Sequence, residues 1–259
     1  MPETLLIERQ GSVAHVMLNR PEAHNAMSNH MVSELLMFFQ DIREDRGLRV
    51  VVIGAVGKTF CAGGDIKDMQ ASAGLDLEAK VATMSVFDQM LRAVNEAPQV
   101  TITRVQGAAM GGGFGLVCVS DIAIAGASAK FGLPEVRLGV VPALISPYVI
   151  QRVGLTRARQ MMLTGERFDA ATALGYGLIH AAVSDEDLVN ATQGYVEQAL
   201  ECSPNALAET KRLIFHVTSR SLDESLRYRA ELISTIRDTP EAQEGMLAFI
   251  QKRKPSWAE

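Results

Sequence analysis

The chain is poor in cysteine, tryptophan and aromatic residues generally: 3 Cys, 1 Trp and 5% aromatics in 259 residues. Cys61, Cys118 and Cys202 lie far apart, which argues against a disulfide framework and against the paired spacing of a zinc site. No apolar run reaches the roughly 18 residues of a membrane span, so no membrane association is expected. The opening Met1-Pro2-Glu3-Thr4 has no basic run leading into an apolar stretch, so no targeting peptide is expected there, and a reduced, cytoplasmic setting fits. A concentrated basic surface is also missing. With 25 Lys+Arg against 30 Asp+Glu and a formal charge of -5, the chain does not read as a general nucleic-acid binder. Its basic cluster, Lys252-Arg253-Lys254, reads first as a solvated tail.

Several motifs are absent. The glycines at 111, 112, 113 and 115 do not give G-x-G-x-x-G, and there is no phosphate loop, G-x-S-x-G elbow or H-E-x-x-H zinc site. His15, His24, His30, His180 and His216 are scattered and read as structural or exposed.

What remains is 47% hydrophobic residues, enough for a sizeable core. Leu5 to Ile7 and Val13 to Leu18 read as a hairpin around Gln10-Gly11. Ser28 reads as the N-cap of a helix carrying Met31, Leu35, Phe38, Phe39 and Ile42 on one face, ended by Gly47. Val50 to Ile53, Thr101 to Val105 and Ile122 to Ala125 are short apolar runs of buried-strand character. Between the first two lies an amphipathic helix with Val81, Phe87, Met90, Leu91 and Val94 inward, closed by Ala97-Pro98. Ser184, Ser203-Pro204, Ser221 and Thr239-Pro240 read as later helix starts. The expected organisation is an α/β core over 1–185 and a helical region, a lid or assembly element, over 186–259.

Three stretches point to chemistry. Lys58 to Ile66 places small residues and two glycines after a strand, where backbone N–H groups can face a ligand. Gly107 to Gly115 sets three consecutive glycines between a strand and an apolar helix, and a helix N-terminus suits an oxyanion. Phe131 to Pro142 carries Glu135 in an apolar setting punctuated by Gly and Pro. Such a Glu is either a paired structural charge or a proton-transfer group whose pKa burial raises.

Together and in this order, these stretches resemble the crotonase (enoyl-CoA hydratase/isomerase) superfamily, as do Asn19-Arg20-Pro21, Asn25-Ala26-Met27, Leu163 to Glu166 and Gly175 to Ile179. The resemblance implies a right-handed spiral of ββα units with a helical C-terminal region, assembled as trimers or hexamers. It implies an acyl-CoA thioester substrate, with no cofactor beyond the coenzyme A that the substrate carries. An oxyanion hole falls on the N–H groups of Ala62 and Gly112, and the catalytic acid on Glu135. Coenzyme A and substrate positions fall on Glu22, Ala23, His24, Gly64, Asp65, Ile66, Gly111, Gly115 and Pro134, with Lys252 as a phosphate contact, within the chain or across a subunit boundary.

Hydratases of this family typically carry two glutamates, and the first falls here on Gly115. Three readings follow: a hydratase, an isomerase needing one base, and a noncatalytic acyl-CoA- or RNA-binding homologue. Gly111 to Ala125, Pro142 to Tyr148 and Gln251 to Pro255 with Trp257 are similar to hydratases of branched glutaconyl-CoA thioesters, the methylglutaconyl and isohexenylglutaconyl types of leucine and terpenoid breakdown. That favours the hydratase. Arg137 reads as a structural salt-bridge residue or as a partner for a distal substrate carboxylate. Met69, Met84, Phe87 and Leu144 are candidates for lining the acyl pocket.

Overall fold

The computed structural model describes residues 2–258. β1 (Leu5–Gln10) and β2 (Val13–Leu18) form the antiparallel hairpin, turning at Gly11 with φ 59°. α1 (Asn29–Asp41) starts where expected, because Ser28 Oγ accepts the Met31 N–H at 3.2 Å. It stops well before Gly47: Asp45 accepts the amides of Gly47 and Leu48, holding this stretch in a turn.

β3 (Val50–Ala55) leads through α2 (Ile66–Ala71) into α3 (Leu77–Asn95). Met90, Leu91 and Val94 of α3 are buried, but Val81 is 51% exposed, contrary to the expected inward face. Only the C-terminal half of α3 buries side chains in the core, so the helical period continues past the surface that would cover it.

The chain then repeats a pattern. β4 (Val100–Val105) and β6 (Ile122–Gly126) join one sheet, while the short strands that follow them, β5 (Ala108–Met110) and β7 (Lys130–Gly132), join another. Between them lies α4 (Gly112–Val119), apolar all round and buried, as a helix enclosed on every side must be. After β7 come α5 (Ser146–Thr164), β8 (Arg167–Asp169), α6 (Ala170–Gly175) and β9 (Ala181–Val183). The large sheet has the order β1-β2-β3-β4-β6-β9, parallel from β2 onward, and the small sheet the order β5-β7-β8. Phe114 of α4 meets Phe131 of β7 edge-on at 6.5 Å, and Phe131 stacks on Phe168 of β8 at 6.0 Å. These contacts hold α4 against the small sheet.

α7 (Leu188–Leu200) covers one face of the large sheet, with Leu188, Val196 and Ala199 packed among Val50, Val52, Ile102 and Ile124. It begins after Asp187 and not at Ser184, whose hydroxyl instead accepts the Asp187 N–H at 3.2 Å. α8 (Pro204–Thr218), α9 (Leu222–Arg237) and α10 (Pro240–Ile250) start at Ser203, Ser221 and Thr239, each side chain capping its helix. Lys211 of α8 reaches the sheet, donating to Asp121 Oδ2 at 2.6 Å and to the Gln99 carbonyl at 3.1 Å. Among the described residues, no helix is long and apolar enough to cross a membrane.

Candidate active site

The three chemistry-bearing stretches meet on β5. On one side, Cys61 donates to the Ala108 carbonyl and Met110 donates to the Cys61 carbonyl, both at 2.9 Å. On the other, β5 pairs with β7, and Gly111 donates to the Gly132 carbonyl at 3.1 Å. The turn after Cys61, the start of α4 and the segment carrying Glu135 are therefore fixed by consecutive hydrogen bonds of one strand.

Two glycines permit the close approach. Gly111 has φ 49° and ψ -115°, a conformation side chains resist, and a Cβ on Gly113 would lie 2.5 Å from Cys61 Cβ. The turns touch: a Cβ on Gly63 would sit 3.8 Å from Gly111 Cα.

The backbone amides divide sharply. Ala62 was expected to supply an oxyanion donor, but it is exposed and its N–H donates to the His24 carbonyl at 3.0 Å. That expectation is corrected, because an amide engaged within the protein cannot also bind substrate. Two residues on, the bridge between Met27 and Gly64 runs through Gly63 O and Asp65 N, leaving the Gly64 amide itself unused. Gly112 opens α4 and has no intrahelical acceptor. Among the described residues, neither the Gly64 nor the Gly112 N–H has a hydrogen-bond partner.

Glu135 stands in a short 3-10 turn, Pro134–Leu138, two residues past β7; Pro134 fixes its first φ and Gly139, at φ 75°, closes it. Its Oε1 lies 3.0 Å from where a Gly111 Cβ would be, and its Oε2 is buried without a hydrogen-bond partner. Burial pushes its carboxyl above the ordinary range, since the charged form loses solvation and no cation compensates it.

Gly115 lies one turn along α4, buried, and a Cβ there would be 2.5 Å from Ile145 Cγ2 and 3.7 Å from Leu91 Cδ2. The side chain of Ile145 thus fills the volume a longer residue at 115 would enter. The space above Gly112 is bounded by Met27 Sδ at 3.0 Å and the Phe87 ring at 3.4 Å from the ideal Cβ, and Met69 Cε lies over Gly64. Of these, sequence reasoning picked out Phe87 and Met69 but missed Met27 and Ile145, whose contacts join residues far apart in the chain.

The other sequence-predicted positions are spread around this centre. Glu22 and His24 are exposed and Ala23 half-buried in the loop that supplies the acceptor for Ala62; Ile66 is exposed at the start of α2. The Asp65 carboxylate is committed to scaffolding: it accepts from Lys67 N at 2.9 Å and from Arg20 Nη1 at 2.8 Å, and these partners hold its carboxyl below the usual range despite burial. Lys252 is exposed after α10, on a tail held by Trp257 Nε1 to the Glu201 carbonyl, and no described hydrogen bond joins it to the site. Arg137 makes no salt bridge among the described residues; its Nε donates to the Thr164 carbonyl at 3.0 Å.

Two unpaired amides on touching glycine turns, beside one desolvated acid, are fitted to stabilise an oxyanion while moving a proton nearby. The sequence matches the enoyl-CoA hydratase/isomerase family over residues 8–259. The chain belongs to the enoyl-CoA hydratase/isomerase family. The structure of Pseudomonas aeruginosa AtuE superposes with a TM-score of 0.97 at 44% identity, covering 99% of this chain and 100% of that one. A probable enoyl-CoA hydratase of Rhizobium meliloti is 36% identical over 97% of this chain and 96% of its own length. The (E)-benzylidenesuccinyl-CoA hydratase of Thauera aromatica is 32% identical over 99% of both. The two-sheet architecture with its helical end is the crotonase fold that these relatives share.

Proposed function

We propose that this protein is an enoyl-CoA hydratase acting on a branched, glutaconyl-type thioester, with Gly64 and Gly112 N–H as the oxyanion hole and Glu135 as the proton-transfer group. The observation that carries this reading is Glu135 itself, a half-buried acid whose Oε2 has no hydrogen-bond partner, beside two unused amides. Each such donor is worth on the order of 3 kcal/mol as charge develops on the thioester oxygen.

In the forward step Glu135 accepts a proton from water as the water oxygen bonds the β-carbon, and the double-bond electrons pass to the thioester oxygen. The enolate then collapses and its α-carbon takes that proton from Glu135. One water is added and Glu135 returns to its ionised form. Burial suits the first half, because an acid with a raised pKa is a stronger base when ionised, and the proton it takes is then held for the α-carbon.

A substrate with a distal carboxylate is supported by the name of the benzylidenesuccinyl-CoA relative. The terminal nitrogens of Arg137, two residues past Glu135, are the proposed partner for that carboxylate. No cofactor enters the proposed cycle. Coenzyme A is proposed to lie along Glu22 to His24 and Gly64 to Ile66, with Lys252 of an adjoining subunit near its phosphates. Assembly as a homotrimer or hexamer is supported by apolar side chains left bare on α9 and α10, including Leu222, Ile233, Phe249 and Ile250. A cytoplasmic setting fits the free thiols of Cys61, Cys118 and Cys202.

A second reading, an enoyl-CoA isomerase, is favoured by the apolar filling beside Gly115, since one base suffices to shuttle a proton between two carbons. The noncatalytic reading is disfavoured, because a binding protein gains nothing from an acid whose buried Oε2 is left unpaired. The test is a panel of enoyl-CoA thioesters, with and without a distal carboxylate, turned over in oxygen-18 water. Label in the product, with preference for the carboxylate-bearing substrates, supports the hydratase; unlabelled product with a shifted double bond establishes the isomerase.

A further inference from the structure

α4 presents Gly112 and Gly115 one turn apart, and α3 faces them with Phe87 and Leu91, also one turn apart. At Gly112 the opposing surface is Met27 and Phe87; at Gly115 it is Ile145 and Leu91. Gly115 lies about 4.5 Å along the helix from Gly112, and a thioester oxygen held at the Gly112 amide stands about 2.9 Å beyond it, which brings the substituents of a β-carbon directed along α4 toward the surface beside Gly115. Ile145 is 3% exposed, and its Cγ2 stands 2.5 Å from the ideal Gly115 Cβ. It comes from the segment just before α5, far from α4 in sequence, and glycine at 115 leaves room for it.

We infer that Ile145 is the specificity-determining residue of this site: it forms the apolar wall that limits the β-substituent of the acyl group, and it occupies the volume of any side chain at 115. The inference rests on the proposed placement of the thioester at Gly112. Residues 115 and 145 are accordingly one steric unit, in which a gain at one position requires a loss at the other. A wall of this kind discriminates by fit, and one or two methylenes change binding about tenfold.

The experiment uses the full chain and saturated acyl-CoA thioesters, which have no double bond to hydrate, so that pocket shape is read apart from turnover. Calorimetric Kd values for butanoyl-CoA and for 3,3-dimethylbutanoyl-CoA are compared in wild type, Ile145→Val and Ile145→Ala. The expected result is a shift of about tenfold toward the bulkier ligand in Ile145→Ala and a smaller shift in Ile145→Val. Thermal melting supplies a second reading: Gly115→Ala lowers Tm, and Gly115→Ala/Ile145→Ala melts above Gly115→Ala. An unchanged Kd ratio in folded variants, additive melting effects, or no binding of either thioester by wild type overturns the inference. Failure of hydration with the Kd ratio shifted as expected removes the hydratase reading and leaves the role of Ile145 standing.

Discussion

Glu135 and Gly111 compete for one volume: the carboxylate Oε1 lies 3.0 Å from the point at which a Gly111 Cβ would stand. The acid is thereby pressed against the start of α4, next to Gly112. Gly111→Ala inserts a methyl group there and imposes a backbone conformation costing about 1–3 kcal/mol. The expected outcome is a folded protein with a lower Tm and a kcat reduced about 10²-fold by displacement of the acid. Melting curves alongside steady-state hydration rates check both halves.

Burial of an ionised Glu135 opposes folding. Its native pKa lies above the unfolded value, so the native state holds the extra proton between the two and stability falls as pH rises through that window. Glu135→Gln removes this dependence. The variant should be more stable than wild type at neutral pH and lose that advantage below the ordinary glutamate range, as read by urea denaturation across pH. In wild type, kcat/KM should rise with pH through an apparent pKa above that range.

The Gly112 amide can be deleted with little damage to the helix, because the first position of a helix tolerates proline. Gly112→Pro should leave far-ultraviolet circular dichroism unchanged while kcat falls about 10²–10³-fold. Gly112→Ala keeps the N–H and asks only that Met27 and Phe87 move; its kcat should exceed that of Gly112→Pro by at least about tenfold.

Asp121 anchors α8 through Lys211 and also accepts from Thr101 N at 2.7 Å and Thr101 Oγ1 at 2.9 Å. Asp121→Ala leaves the buried ammonium of Lys211 without its counter-charge. A loss of about 3–5 kcal/mol in unfolding free energy is expected. Chemical denaturation measures it.

Local chemistry made much of the fold legible. Ser28, Ser203, Ser221 and Thr239 cap helices because a hydroxyl followed by an apolar face suffices as a signal. Val81, Gly47 and Ser184 misled because helix burial and helix ends depend on what packs or hydrogen-bonds nearby, which periodicity does not contain. In the site, Glu135 and the glycine turns stood out as types costly without a task. Which amide of the first turn stays unpaired did not, since His24 in another loop claims Ala62 and spares Gly64. Ile145 was equally hidden, because its contact with Gly115 spans thirty residues and appears only when α4 and the segment before α5 are packed.

The chemistry proposed here reduces to making and quenching a thioester enolate, and exchange of α-hydrogen for deuterium on a saturated acyl-CoA in heavy water reports that event alone. Wild type should catalyse the exchange, and both Glu135→Gln and Gly112→Pro should reduce it at least about 10²-fold. Exchange undiminished in folded Glu135→Gln would contradict the account.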